Sequence, residues 1–221
     1  MKTILVVAAH ADDEALGCGG TIARHVAEQD KVHLVFMTNG VGARNSEDQD
    51  IIHRKNQAKK AAALLGVESV TFFDFPDNQM GNFPLLSVTQ SIEEVVQKIK
   101  PSIIYTHHFG DLNIDHRITQ QAVLTACRPQ PEFPVKTIYS FEVLSSTEWQ
   151  MPGPLHFSPN VYVNITDYFD KKMAVLQLYH AEMRVSPHSR SFENMRHLAA
   201  FRGHCVGVEY AEAFTLIRQI I

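Results

Sequence analysis

Residues 4–14 read I-L-V-V-A-A-H-A-D-D-E. A β-branched-rich apolar run from Ile4 to Ala9 stops abruptly at a histidine and three acids. A secretory leader begins in a similar way, but its apolar core is not interrupted at once by Asp12, Asp13 and Glu14. The run fits a strand buried on both faces. Such strands belong to parallel sheets covered by helices.

Outward from Ile4 the chain keeps alternating. Leu16 to Glu28 has helical spacing, with Ile22 and Val26 on one side. Val32 to Met37 is the next strand, ended by the turn signal Thr38-Asn39-Gly40. Ser46-Glu47-Asp48 caps a helix that runs to Leu65 and stops at Gly66. Val70 to Phe75 is a third strand, closed by Pro76-Asp77-Asn78. Leu85 to Lys100 is a helix ending before Pro101, Ser102 to Thr106 a strand, and Asn113 to Cys127 a helix. This series predicts an α/β fold: a Rossmann-like, mostly parallel sheet with helices on both faces. After Cys127 the texture changes, and six of the ten prolines lie between Pro129 and Pro159. Strands are expected over Lys136 to Leu144 and Tyr162 to Ile165. Helices are expected over Asp167 to Glu182 and Ser191 to Arg202, and a last strand over Ala211 to Ile220. The C-terminal third therefore elaborates the same domain, residues 1–221.

The composition excludes several classes. The 221 residues are 45% apolar and 20% charged, which is globular and neither disordered nor collagen-like. Twenty Lys plus Arg against 24 Asp plus Glu leave a net charge of −4, without the basic excess that nucleic-acid binding needs. Cys18, Cys127 and Cys205 are odd in number and far apart, so neither a disulfide framework nor a cysteine-rich zinc site is expected. No apolar stretch approaches the length of a membrane span. A soluble protein of a reducing compartment, the cytoplasm, is the expectation.

Ligands of doubly wound sheets sit beyond the carboxyl ends of the strands. The polar clusters fall there. His10 and Asp13 are three apart across a strand-to-helix turn and can converge on a cation, with Asp12 able to approach the same point without ligating. Adjacent carboxylates repel, and a metal ion supplies the compensating charge. The rival reading makes these acids a helix cap, which needs only one of them. The second cluster, T-H-H-F-G-D-L-N-I-D-H-R over residues 106–117, follows the fourth strand. It offers His107, His108, Asp111, Asn113, Asp115 and His116, with Asp111 or Asn113 as an alternative N-cap. His116 would complete a two-His, one-carboxylate set with an open position for water, the composition of a hydrolytic zinc site.

A-H-A-D-D-E followed by A-L-G-C-G-G resembles the A-H-P-D-D-E signature of the zinc-dependent de-N-acetylases called the PIG-L or LmbE family. T-N-G (38–40), Arg54 ahead of A-A-A-L-L-G-V, F-P-D (75–77), the D-H pair at 115–116, R-S-F-E, A-A-F-R-G and A-E-A-F extend the likeness along nearly the whole chain. The resemblance implies a Rossmann-like fold and removal of an acetyl group from an N-acetylated sugar conjugate; the rival readings are a metal-dependent hydrolase of another amide or ester and a non-catalytic Rossmann-like protein that binds metal or sugar. The conjugate would be a nucleotide sugar, a lipid-linked sugar or a thiol-precursor glycoside. It implies Zn2+ held by His10, Asp13 and His116, Asp12 as general base and Asp115 as a supporting acid. It also implies a homo-oligomer. Ala11 stands where the family has Pro, which costs loop rigidity and not chemistry. Asn113 stands where many members have a His that helps stabilise the oxyanion. Asn donates a hydrogen bond but does not titrate, and His107, His108 or His180 are the candidate substitutes.

Other residues carry two readings each. Gly17, Gly19 and Gly20 are in the wrong order for a G-x-G-x-x-G phosphate loop and fit close helix-to-sheet packing instead. Arg54 is either a substrate contact, as in the family, or a solvated helix residue. Asp77 binds a sugar hydroxyl or simply belongs to a turn. Arg184, His188 and Arg190 flank Pro187 and are candidates to meet an anionic substrate group. Trp149 stacks on substrate or packs. Of the twelve histidines, His107, His108, His180 and His188 are expected at the rim of the site, and only His10 and His116 at the metal. Specificity is expected from residues 40–48 and 130–159.

Overall fold

The computed structural model describes residues 1–40, 48–151, 153 and 155–221. The expected cap at Ser46-Glu47-Asp48 lies outside the side chains described. Among the described residues seven strands form one sheet in the order β3-β2-β1-β4-β5-β7-β6. In chain order the elements are β1 (Thr3–Ala8), α1 (Asp13–Ala27), β2 (Lys31–Thr38), α2 (Asp48–Leu65), β3 (Ser69–Phe75), α3 (Leu85–Ile99) and β4 (Ile103–His107). There follow α4 (Ile114–Ala126), β5 (Thr137–Phe141), β6 (Val161–Asn164), α5 (Phe169–Leu178), α6 (Phe192–His204) and β7 (Ala211–Gln219). β1 to β5 are parallel, and β7 runs antiparallel between β5 and β6.

β1 is an interior strand between β2 and β4, and its period of two explains both layers. Ile4, Val6 and Ala8 face the core shared with α1, α2, α5 and α6, while Leu5 and Val7 face the core shared with α3 and α4. The chain leaves β1 toward β2 on one side and returns to pair β4 on the other. That reversal opens the crevice at the carboxyl end of β1 where such folds bind ligands. Gly17 and Gly20 pack as the sequence suggests: a Cβ at Gly17 would run into the Phe141 ring, and one at Gly20 into Ile165.

Two element ends differ from expectation. β5 stops at Phe141 rather than Leu144, because β4 ends at His107, the register partner of Phe141. α5 is preceded by a 3-10 turn over Thr166–Tyr168 and ends at Leu178, four residues early. There Tyr179 leaves helical geometry and its hydroxyl donates to Glu14.

Helix α1 is broken at Cys18, whose φ of −146° and ψ of 22° are not helical. A continuous helix would bond the Gly20 N–H to the Leu16 carbonyl. Instead Gly20 N donates to Glu212 (2.9 Å), Thr21 N donates to the same carboxylate (2.7 Å), and Leu16 O accepts from Lys172 Nζ (2.8 Å). Lys172 and Glu212 pair with each other at 2.6 Å and are both buried. An ion pair is thus inserted into the helix ladder, a recognised cause of a kink. It separates the first turn, which carries Asp13, from the rest of α1. Removing one partner strands the other in the core together with orphaned backbone groups. Glu212→Ala should therefore lose about 3–5 kcal/mol of unfolding free energy, read as a lowered midpoint in denaturant titration.

Candidate active site

The carboxyl ends of β1 and β4 deliver the two motifs to one place. His10 Nδ1 stands 3.1 Å from Asp13 Oδ2 and 3.2 Å from His116 Nε2, and His116 Nε2 is 3.3 Å from Asp13 Oδ2. Three ligands set tetrahedrally at about 2.0–2.1 Å around one centre stand about 3.3 Å apart. The two imidazoles and the carboxylate thus fit a zinc-type ion in spacing and chemistry. The triangle forms one wall of a cavity of about 730 Å3, within the range that holds small-molecule ligands.

Each ring is oriented from behind. His10 Nε2 faces Asp77 Oδ1 at 3.0 Å and Asp115 Oδ2 at 3.3 Å. His116 Nδ1 faces Asp111 Oδ1 at 3.2 Å. Carboxylates in these positions fix ring orientation and strengthen the imidazole as a ligand. Asp111 is itself held by the hydroxyls of Ser146 and Thr147 and by the Asn113 N–H. The charges are unequal in a telling way. Burial would lower both imidazoles, but hydrogen bonds to Asp115, Asp13 and Asp77 hold His10 well above its ordinary value. The Asp13 and Asp111 carboxylates push His116 up to about 9. Burial would raise the Asp13 carboxyl, yet the charges of His116 and His107 and the hydrogen bonds of His10 and His116 together hold Asp13 well below the usual range. The pocket asks for positive charge, which protons on the histidines or a cation can meet.

Asp12 is different. It begins α1 at φ +144°, a strained value for a residue with a side chain. Glu14 accepts its N–H at 3.0 Å, and Tyr179 donates to the other oxygen of Glu14 at 2.8 Å. Burial pushes Glu14 up to about 8. The third acid of the motif is therefore an anchor beneath Asp12, outside the cavity wall. Arg190 Nη1 donates to Asp12 Oδ2 at 3.1 Å. Burial raises the Asp12 carboxyl and neighbouring Asp13 adds to it, against the lowering effect of Arg190.

The remaining expected residues fall as follows. Arg54 lines the cavity, paired to Glu182 and donating to the Ala11 carbonyl, so it is not a solvated helix residue. Asp77 and Asn113 also line it. Asn113 caps α4 through its Oδ1, which accepts the Asp115 N–H at 2.8 Å, and its Nδ2 donates to Asn78 at 3.2 Å. Asp115, expected as a supporting acid, stands against the far side of His10. It is fully buried behind His10, outside the cavity wall, with its oxygens taken by the N–H groups of Asn78 and Met80.

His107 and His108, expected at the rim, are buried. His107 Nε2 accepts the Ala9 N–H at 2.8 Å and its ring stacks on His116, while His108 bonds the Leu155 carbonyl. Strand register explains this, because His107 is the last residue of β4 and points into the core beside Phe141. His180 is exposed and does not line the cavity, and the Arg184 guanidinium is turned to the Ala181 and Met183 carbonyls. His188 does not line the cavity but meets edge-on the ring of Trp149, which does.

The fold and the donor set define a Rossmann-like hydrolase site built to hold a metal ion. Comparison with known proteins gives the family. The description of the GlcNAc-PI de-N-acetylases, PIG-L, matches residues 5–127. The Escherichia coli (strain K12) protein named "Uncharacterized deacetylase YaiS" is 31% identical over 182 residues, covering 80% of this chain and 89% of that one. The chain belongs to the PIG-L family, whose description is that of the GlcNAc-PI de-N-acetylases. The solved N,N'-diacetylchitobiose deacetylase from Pyrococcus horikoshii shares the fold, with a TM-score of 0.81, 21% identity and coverage of 98% of this chain and 84% of that one. The 4-oxalmesaconate hydratase of Pseudomonas putida is 26% identical over 193 residues, covering 80% of this chain and 72% of that one, so a hydration chemistry also occurs among the relatives. Asp111, Glu14, Tyr179 and the contact of Arg190 with Asp12 were not assigned from sequence. The A-H-A-D-D-E motif is the local signal for Glu14 and the short D-L-N segment that for Asp111, while nothing local points to Tyr179 or to the partner of Arg190.

Asp111→Asn should keep the fold and weaken zinc binding about 10–100-fold, measured by competition with a chromophoric chelator.

Proposed function

We propose that this chain is a zinc-dependent enzyme that removes the acetyl group from an N-acetylglucosamine-type sugar conjugate, acting as one domain in the cytoplasm. The observation that carries this is the His10–Asp13–His116 triangle, with donor atoms 3.1–3.3 Å apart beside Asp12 on one cavity wall. Zinc held there supplies Lewis acidity, acidifying a water and polarising an amide carbonyl.

The chain's own residues do the rest. Asp12 accepts a proton from the attacking water and returns it to the departing nitrogen. The water oxygen adds to the carbonyl carbon and the C–N bond breaks, leaving acetate and a free amine. Asp77 and Asp115 hold the His10 ring, and Asp111 holds the His116 ring, so the donor atoms are in place before substrate arrives. Asp115 is thereby a positioning residue. Arg54, Asp77 and Asn113 meet the substrate at the cavity wall, where the second N–H of the Asn113 amide is a donor for the carbonyl oxygen.

The test is amine release from a panel of N-acetylated sugar conjugates by the zinc-loaded protein. Asp12→Asn should retain zinc while turnover falls about 100- to 10,000-fold, and His116→Ala should lose the metal itself. Metal binding with no amine released across the panel would sink the proposal. Water addition to an unsaturated dicarboxylic acid, followed by its absorbance, would then favour the chemistry named for the hydratase relative.

A further inference from the structure

Arg190 and Asp12 lie 178 residues apart and meet at 3.1 Å. The guanidinium is set in place without help from Asp12. Its Nε donates to Ser145 Oγ at 2.8 Å and to the Leu144 carbonyl at 3.3 Å. Ser145 stands at φ +65° just past β5, and Glu148 binds that turn by accepting the Ser145 N–H (2.6 Å) and the Ser146 N–H (3.2 Å). Glu148 also accepts from the Ser189 hydroxyl, next to Arg190. Two loops, 144–148 and 189–190, therefore lock one edge of the guanidinium and aim its remaining N–H groups at the cavity. Of those, Nη1 takes Asp12 Oδ2.

The other end of Asp12 is equally constrained. Its N–H is held by Glu14, and its backbone is strained at φ +144°. With the backbone tied from below and Oδ2 tied by Arg190, the other carboxylate oxygen, Oδ1, has no hydrogen bond among the described residues and is left for proton transfer. Arg190 and Ser145 both line the cavity, so this contact borders the space where substrate sits.

We infer that Arg190 is a positioning residue that holds the Asp12 carboxylate in one orientation, leaving Oδ1 to the reacting water. This rests on the role proposed for Asp12. An arginine serves here because its planar fork can bond the loop through Nε and the carboxylate through Nη1 at once, which a lysine cannot do. Loss of such orientation is felt in turnover rather than in binding.

The experiment is a cycle of Arg190→Ala, Asp12→Asn and the double variant, all zinc-loaded and with zinc content verified. Arg190→Ala should lower kcat about 100-fold with KM nearly unchanged. Added guanidinium ion should restore a large part of it, and Arg190→Lys should restore less. On the Asp12→Asn background, Arg190→Ala should have no further effect. A rise in KM at constant kcat would make Arg190 a substrate anchor and overturn the inference. So would a further loss in the double variant, or an unchanged kcat.

A turnover-free arm uses acetohydroxamic acid, whose proton must be taken up when it binds a zinc site. Its affinity, by calorimetry, should fall about tenfold or more in each single variant and no further in the double. If the wild type releases no amine but this non-additivity holds, the deacetylase proposal fails and the Arg190 clamp stands. If the losses in affinity simply add, the clamp fails whatever the wild type hydrolyses.

Discussion

The site is organised around one atom, Oδ2 of Asp13. It accepts the His10 N–H at 2.8 Å and stands 3.1 Å from His10 Nδ1 and 3.3 Å from His116 Nε2. That oxygen fixes the turn from β1 into α1 and at the same time closes the donor triangle. A carboxylate so placed, 1% exposed and next to two further acids, is stable only because its surroundings answer it with imidazoles and N–H groups. The layers behind it serve that balance. Asp77 and Asp115 turn His10 toward it, and Asp111 turns His116.

Asp13 can reach this position because α1 is not one helix. The break at Cys18 lets the first turn follow β1 while the remainder packs on the sheet, and Lys172 and Glu212 absorb the hydrogen bonds that the break leaves open. A buried ion pair is seldom a net gain in stability. Here it has a local task, since its two ends replace the donor and the acceptor of the severed helix bond. The small residues around the break, Gly17 and Gly20, let α1 lie against Phe141 and Ile165 at a distance that a side chain would forbid. The conformation of the first turn is thus set by α5 and β7, elements from the far end of the chain.

This distribution explains what could be read in the sequence. β1 to β4 and their helices follow from hydrophobic period and turn residues, which are local. His10, Asp13 and His116 are legible for the same reason, as each lies in a short polar motif directly after a strand. Asn113 as a cap is also local, through its bond to Asp115 N. The ends of β5 and α5 are not, because β5 stops where its partner stops and α5 stops where Tyr179 turns to Glu14, 165 residues away. Arg190 against Asp12 is longer still in range. His107 lies in the core and not at the rim because one residue of register decides whether the end of β4 points to solvent or to Phe141. Chemistry carried by adjacent residues is visible in a sequence, whereas the shell that orients it is assembled by the fold.

The neighbours Asp12 and Asp13 show what that shell accomplishes. They share a peptide bond and have the same side chain, yet their carboxyl groups are driven in opposite directions. Asp13 looks at His10, His107 and His116 and is held well below the ordinary range, the state in which a carboxylate ligates a cation. Asp12 looks at Arg190 and Arg54 across a buried wall, and burial together with the charge of Asp13 raises it against the lowering pull of the two arginines. When environments push two like groups apart in this manner, their roles separate. The φ of +144° at Asp12 is the geometric side of the same division, because it turns one acid to the cavity and lets the next one face the histidines. A continuous helix beginning one residue earlier would place both acids on regular helical backbone, 100° apart, and would lose the strained step at Asp12 that now turns the two carboxylates to different surroundings.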